Sequence, residues 1–130
     1  MQVMPDRSPP AFEPTIRVTT MPADANAYGD IFGGWLIGQM DMAAGLVAAR
    51  RAKGRAVTVA MDAMQFHAPV FVGDEVSVYA ALTKVGRSSM KIDVEAWRRG
   101  RHGEERELVT QANFTFVAVG EDRKPRPVDG

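Results

Sequence analysis

Apolar and polar residues alternate with a period of two along several stretches of the chain, and this pattern predicts five β-strands. The first strand is short and rich in β-branched residues, and it ends before Pro22. The other four follow in series, and Gly86-Arg87 is typical of a hairpin turn between two of them. The predicted strands are residues 15–20, 57–62, 75–83, 90–97 and 108–119, the last with apolar groups on both faces.

Between the first two strands lies a long apolar run, residues 34–50, that lacks the two-residue period and predicts one helix. The run closes on the basic residues Arg50, Arg51, Lys53 and Arg55, which either complement the helix dipole or bind phosphate. One helix and an antiparallel sheet predict an α+β fold in which the sheet curls around the helix. Because a single sheet leaves part of that helix uncovered, we expect at least a dimer.

The composition fits one globular domain, which we place at residues 15–119 of the 130. The proline-rich residues 1–14 and the polar residues 120–130 are expected to be loosely ordered tails. Sixteen basic and sixteen acidic residues leave no net charge, which argues against nucleic acid or an anionic membrane as a partner. Cysteine is absent, so thiolate metal sites are excluded, and we expect a cytoplasmic protein without a catalytic metal.

Asp41 is the one charged residue between positions 33 and 49, and a buried carboxylate without partners is costly. Helical spacing places it on one face with small residues, and interior glycines cost about 1 kcal/mol each relative to alanine. We therefore expect a close approach to that face. Two interpretations remain open, a general base or nucleophile in a ligand channel, or a buried Asp bonded to backbone N–H groups. The small residues on the face are Gly34, Gly38, Gly45 and Ala48.

The loop before the helix offers groups that could assist such a carboxylate. Asn26 carries a neutral amide that can hold a water or a carbonyl group. Gly33 and Gly34 open the helix with unpaired N–H groups, and the positive end of the helix dipole suits an oxyanion. Asn is also common in loops and Gly-Gly in turns, so a purely structural role remains open for all three.

The segments DANAYGDIFGGWLIGQMDMAAG, FHAPVFVGDEV and VGRSSM resemble hotdog-fold acyl-CoA thioesterases of the YciA and cytosolic acyl-CoA hydrolase type. The resemblance extends over about residues 16–119 and implies a long central helix wrapped by a curved antiparallel sheet. It implies that Asp41 is the catalytic carboxylate and that Asn26 complements it from the facing subunit. It also implies a paired hotdog dimer, often assembled as a trimer of dimers.

By the same resemblance, Arg87, Ser88 and Ser89 lie near the coenzyme A moiety, although Gly-Arg-Ser-Ser is also an ordinary hairpin turn. The expected function is hydrolysis of acyl-CoA to a free acid and coenzyme A, with no cofactor besides the coenzyme A of the substrate. A hotdog enoyl-CoA hydratase or dehydratase and a non-catalytic acyl-CoA sensor are the alternatives. Hotdog hydratases add a histidine near the acid, and residues 34–50 contain none. His67 is more typical of a packing or hydrogen-bonding residue.

Overall fold

The computed structural model describes residues 7–130, and within them the chain forms one long helix and five strands. A short 3₁₀ turn, Pro22–Asp24, precedes the helix. The elements are β1 (Ile16–Thr19), α1 (Gly33–Ala52), β2 (Ala56–Phe66), β3 (Glu75–Val85), β4 (Ser89–Arg99) and β5 (Arg106–Ala118). The predicted α+β architecture is confirmed, and β2 and β4 extend further than their alternation indicated.

All five strands belong to one antiparallel sheet in the order β1-β3-β4-β5-β2. Val85 pairs with Met90 across the predicted hairpin turn, which is therefore confirmed. The chain leaves one edge of the sheet with β1 and returns at the opposite edge with β2. Because α1 connects these two edges, it crosses the sheet and contacts β2, β3, β4 and β5.

The core lies between α1 and the sheet face that it crosses. Leu36 and Met40 are almost fully buried on the helix, and Ala43, Ala44 and Ala48 have no exposed surface. Their small side chains let the helix backbone approach the sheet, while burial of each larger side chain contributes about 1.5–3 kcal/mol. The facing side chains of the sheet include Val76, Val78, Met90, Ile92, Val94 and Phe114. This packing fixes the position of α1 and of every group on it.

The last eleven residues differ from the expected loose tail. Val128 is 4% exposed and belongs to the core, and its N–H donates to the carbonyl of Arg87. The Arg126 guanidinium donates to the carbonyl of Ala52 at 2.9 Å and to that of Val119 at 3.2 Å. The last carbonyls of a helix lack partners within the helix, so an arginine brought in from elsewhere can stabilise them.

Arg51 shows what one member of the basic cluster does. It donates two hydrogen bonds to Asp129, at 2.7 and 3.2 Å, and these lower the pKa of the Asp129 carboxyl below its ordinary value. The pair therefore stabilises the fold above the ordinary carboxyl pKa and is lost as the pH falls through the lowered one. Its contribution is small because both groups are exposed to solvent. Arg51 therefore has a structural partner, while both interpretations of the basic cluster, complementing the helix dipole and binding phosphate, stay predictions.

The amino-terminal segment also meets the sheet where it is described. Arg7 donates to the side chains of Gln111 on β5 and Glu95 on β4. The ring of Phe12 lies edge-on to that of Tyr79, with centroids 5.8 Å apart. The expectation of a loose segment for residues 1–6 lies outside the described residues.

Candidate active site

Asp41 stands in the middle of α1, half-buried, and faces β2. Its Oδ1 accepts a hydrogen bond of 2.5 Å from the Thr58 hydroxyl. In the described part of the chain, no Lys or Arg forms an ion pair with it and no backbone N–H donates to it. Asp41 is therefore not held by backbone N–H groups of the described residues, and that interpretation is wrong for residues 7–130. Thr58 orients one carboxylate oxygen, and Oδ2 has no hydrogen-bond partner among residues 7–130.

The sequence pattern gave no sign of a role for Thr58, which it shows only as one polar position of β2. Replacing it with valine keeps the shape and removes the hydroxyl, so we expect kcat for any reaction of Asp41 to fall about tenfold through lost orientation of the carboxylate. KM should change little, and Thr58→Ser, which keeps the hydroxyl, should restore most of the rate. Steady-state kinetics of the three proteins check this. Equal losses in the valine and serine variants would contradict it.

The face of α1 that carries Asp41 changes character along its length. At Gly45 an added Cβ would lie 3.6 Å from the Phe116 ring, and Ala48 is fully buried. A contact of that length is ordinary van der Waals packing, so the expected close approach to this face stays a prediction. At Gly34 and Gly38 an added Cβ would meet nothing within 4 Å among the described residues. The amino-terminal half of the face is open in one chain.

Asn26 is held in the loop before α1 by its own side chain. Its Oδ1 accepts hydrogen bonds from the backbone N–H groups of Tyr28 at 2.8 Å and Asp30 at 3.2 Å. The turn fixes the side chain with its oxygen occupied, so the amide N–H₂ is the group that can serve a ligand. Within residues 7–130 no hydrogen bond joins Asn26 to Asp41.

A cavity of about 360 Å³ adjoins the start of α1. Its walls are mostly apolar and include Phe32, Leu36 and Phe66, together with Gly33 and His67. Phe32 is the N-cap residue of α1 and gives no side-chain cap, so the first N–H groups of the helix keep their positive potential. A mostly apolar cavity of this size beside an anion-favouring helix end is typical of a small-molecule site.

Asp41 and the helix start at Gly33, two parts of the predicted site, lie far apart along α1. Asp41 follows Gly33 by eight residues, and a helix rises by 1.5 Å per residue, so the two are about 12 Å apart along the axis. They are therefore too far apart in one chain to contact the same carbonyl group.

Arg87 and Ser88 lie in the turn between β3 and β4, and Ser89 is the first residue of β4. The Gly86 N–H donates to the Ser89 carbonyl at 2.8 Å, and the Ser88 carbonyl accepts from the Ala118 N–H. These backbone bonds confirm the hairpin. The Arg87 side chain is exposed, and its role in binding stays a prediction.

A buried ion pair supports the loops beside the cavity, and sequence reasoning missed it. Asp74 is 5% exposed and accepts from the Phe71 N–H at 2.9 Å and from Arg98 Nε at 2.8 Å. The hydrogen bond to Asp74 raises the pKa of the Arg98 guanidinium, which also lies over the Phe71 ring. The fixed loop presents the Val70 carbonyl to the Ile31 N–H at 2.9 Å, which joins the two loops that line the cavity.

The sequence profile of the thioesterase superfamily matches residues 28–105, a range that contains the helix start, Asp41 and the turn at Arg87. The chain belongs to the thioesterase superfamily. It is 63% identical over 116 residues to an uncharacterized acyl-CoA thioester hydrolase of Zymomonas mobilis, which covers 89% of this chain and 78% of the relative. It is 46% identical over 122 residues to the acyl-CoA thioester hydrolase YciA of Salmonella typhimurium, with 92% of each chain covered.

Solved structures agree with this membership. The hexameric thioesterase y2039 from Yersinia pestis superposes with a TM-score of 0.86 and is 48% identical, and the match covers 92% of this chain and 98% of that one. The hotdog fold implied by the sequence segments is thereby confirmed. Within residues 7–130 of this thioesterase-superfamily chain, no group of three or more His, Cys, Asp or Glu side chains is placed to hold a metal. Over the same residues, no helix has the length and hydropathy needed to cross a membrane.

Proposed function

We propose that this chain hydrolyses acyl-CoA thioesters to a free acid and coenzyme A, the activity that its relatives are named for. The observation that carries the proposal is Asp41, a carboxylate on the central helix that has no ion-pair partner among residues 7–130 and has one oxygen fixed by Thr58. The relatives described above give no support to a hydratase or a sensor. A hotdog hydratase would need a histidine near the acid, and α1 contains none.

The reaction needs a base or nucleophile, donors for an oxyanion and a place for the acyl group. Asp41 takes a proton from the attacking water, or its Oδ2 attacks the thioester carbonyl to give an anhydride that water then opens. The N–H groups at Gly33 and Gly34 stabilise the oxyanion, and the Asn26 amide positions the water or the carbonyl. In the first route the C–S bond breaks and the coenzyme A sulfur receives the proton that Asp41 took from water. In the second route the thiolate leaves as the anhydride forms, and it takes up the proton released when water opens the anhydride. These steps use only groups of the protein, water and substrate.

The separation of Gly33 from Asp41 supports a site shared between two chains. One carbonyl group can contact both if the helices of two subunits run antiparallel, with Gly33 and Asn26 of one chain facing Asp41 of the other. The open face at Gly34 and Gly38 leaves room for this approach. The reaction would then take place only in an oligomer.

A second copy also accounts for the apolar surface of the chain, here called the dimer surface. It comprises Met42 and Leu46 on α1 and Val57, Val59, Met61 and Phe66 on β2, each 42–56% exposed. Strand β2 is an edge of the sheet, where unpaired N–H and C=O groups can pair with another strand. We therefore propose that β2 pairs with β2 of the second copy. The hexameric relative supports three such dimers in one assembly.

Leu46→Glu tests this assembly. A carboxylate buried at the centre of an apolar contact without a partner is strongly destabilising, so we expect the variant to dissociate to monomers at micromolar concentration. Light scattering after gel filtration measures the mass, and turnover should fall with it because the site is shared. Met21→Glu is the matched control, since Met21 is 56% exposed but lies off the dimer surface. An active Leu46→Glu monomer would refute the shared site.

Arg87, Ser88 and Ser89 are proposed to contact the phosphates of coenzyme A. Arginine and hydroxyl groups are good donors to phosphate oxygens, and Arg87 is exposed at the turn. Ser88 and Ser89 use their backbone carbonyls in the fold, which leaves their hydroxyls for a ligand.

The proposed function is tested by incubating the oligomer with acyl-CoAs of short, medium and long chain and one aryl thioester, with a thiol reagent present. Release of free thiol is the expected result. Binding without release would favour the sensor, and loss of enoyl absorbance from an enoyl-CoA without thiol release would favour the hydratase.

A further inference from the structure

The chain reverses direction after β5, and the returning residues 125–128 are here called the return segment. Val119 forms an antiparallel bridge with Pro125, and the Arg126 N–H donates to the Ala118 carbonyl at 2.9 Å. The return segment therefore runs beside the end of β5.

Two side chains anchor the return segment. Val128 is 4% exposed and packs in the hydrophobic core. The Arg126 guanidinium, which donates to the Ala52 carbonyl, lies so close to Gly54 that a Cβ added there would be 2.8 Å from its Nη2. Because a contact that short would force a shift, the glycine makes room for the guanidinium. The return segment is therefore part of the folded domain.

The return segment contacts the turn that carries Arg87. The Val128 N–H donates to the Arg87 carbonyl at 2.8 Å, and the Ala118 N–H donates to the Ser88 carbonyl, also at 2.8 Å. Two different parts of the chain thus fix the two carbonyls of the turn. The Arg87 side chain is exposed, and among residues 7–130 it forms no ion pair.

We propose that Val128 is a positioning residue for coenzyme A, because its N–H holds the turn in the conformation from which Arg87 binds a phosphate. Ordering an exposed turn when a ligand binds costs free energy, and a turn that is already held avoids this cost. Arginine binds phosphate through directed hydrogen bonds, so the placement of its backbone matters. The proposal rests on the proposed hydrolysis of acyl-CoA and on the proposed phosphate contact of Arg87.

Val128→Pro removes the hydrogen bond, because proline has an apolar side chain and no N–H to donate. We expect KM for butanoyl-CoA to rise about fivefold with kcat unchanged, as for a loss of uniform binding. Val128→Ile keeps the N–H and the apolar side chain and should match the wild-type protein. Asp129→Asn is the control, since it removes the exposed ion pair with Arg51 and should leave KM unchanged.

A substrate without phosphates separates this effect from a general defect. Butanoyl-pantetheine has the same thioester and pantetheine arm but lacks the phosphates and adenosine of coenzyme A, so its KM should be the same in Val128→Pro and the wild-type protein. Thiol release is measured with both substrates. A rise in KM for both would overturn the proposal. Val128→Ser weakens the core anchor and should raise KM for butanoyl-CoA alone, and it serves if the proline variant fails to fold or assemble.

A double variant tests whether Val128 acts through Arg87. Arg87→Ala should raise KM for butanoyl-CoA about tenfold, because a charged hydrogen bond to phosphate is lost. Adding Val128→Pro to it should cause no further rise, since the group that Val128 positions is already gone. Two effects that multiply would overturn the proposal.

Failure of the proposal and failure of the proposed function give different results. Thiol release from neither substrate by the wild-type protein would overturn the function. An unchanged KM in Arg87→Ala would overturn the phosphate contact and the positioning role with it. A raised KM in Arg87→Ala beside an unchanged KM in Val128→Pro would overturn the positioning role alone.

Discussion

Replacing Asp41 with asparagine is expected to lower kcat for acyl-CoA hydrolysis by about 10²- to 10⁴-fold, the usual contribution of a positioned proton acceptor. An amide can neither take a proton from water nor attack the thioester carbonyl. The substitution keeps the shape of the side chain, and the Thr58 hydroxyl can still donate to the amide oxygen. Fold, assembly and coenzyme A binding should therefore persist while turnover is lost.

The measurement is thiol release by the variant and the wild-type protein at matched oligomeric state, with calorimetric binding of coenzyme A beside it. Asp62→Asn is the matched control, since Asp62 is an exposed carboxylate on β2 and its replacement should leave kcat unchanged. Wild-type activity in Asp41→Asn would move the chemistry to another group. A loss of coenzyme A binding in parallel would assign Asp41 to substrate binding.

The strands and the helix could be predicted because their signals are local. Alternation identifies a strand, and the long run of apolar residues identifies α1. The ends of β2 were harder to place because its pairing with β5 shifts between Thr58 and Ala60 and again between Asp62 and Gln65. At the second shift Ala63 has a φ of 44°, a conformation that favours glycine. The sequence around Ala63 gives no sign of this positive φ.

The carboxyl-terminal residues show why a polar segment can be misread as a tail. Their stabilising partners, the carbonyls of Ala52 and Arg87, lie far away in the sequence. A local pattern cannot reveal that Arg126 stabilises a distant helix end or that Val128 reaches the core.

Some residues of the candidate site could likewise be predicted from the sequence, and others could not. Asp41 could be found from the sequence because a single charge in an apolar helix demands an explanation. Thr58 could not, since its hydrogen bond depends on how α1 lies across β2. The pairing of Asp74 with Arg98 likewise arises from tertiary contacts. The sequence pattern thus pointed to Asp41, whose catalytic role stays a prediction, and it did not reveal that Thr58 donates to this carboxylate.

Mixing two inactive variants should restore activity if each site is shared between two chains. Asn26→Asp keeps the side-chain oxygen that accepts from the N–H groups of Tyr28 and Asp30 and removes the amide donor. The loop should keep its shape while the site loses one group. We expect Asn26→Asp and Asp41→Asn oligomers each to be nearly inactive. Co-expression of the two chains, followed by thiol-release assays of the mixed oligomers, is the test.

The expected recovery follows from the symmetry of a dimer with two shared sites. In a mixed dimer one site combines both substitutions, and the other combines the intact Asp41 of one chain with the intact Asn26 of its partner. Random pairing makes half of the dimers mixed, so about a quarter of wild-type activity should return. If Asp41 and Asn26 of one chain formed each site, every site would carry one substitution and no activity would return. The same result would refute the antiparallel helix arrangement. That arrangement is inferred from the separation of Gly33 and Asp41 along α1, about 12 Å, which is about four times the length of a hydrogen bond.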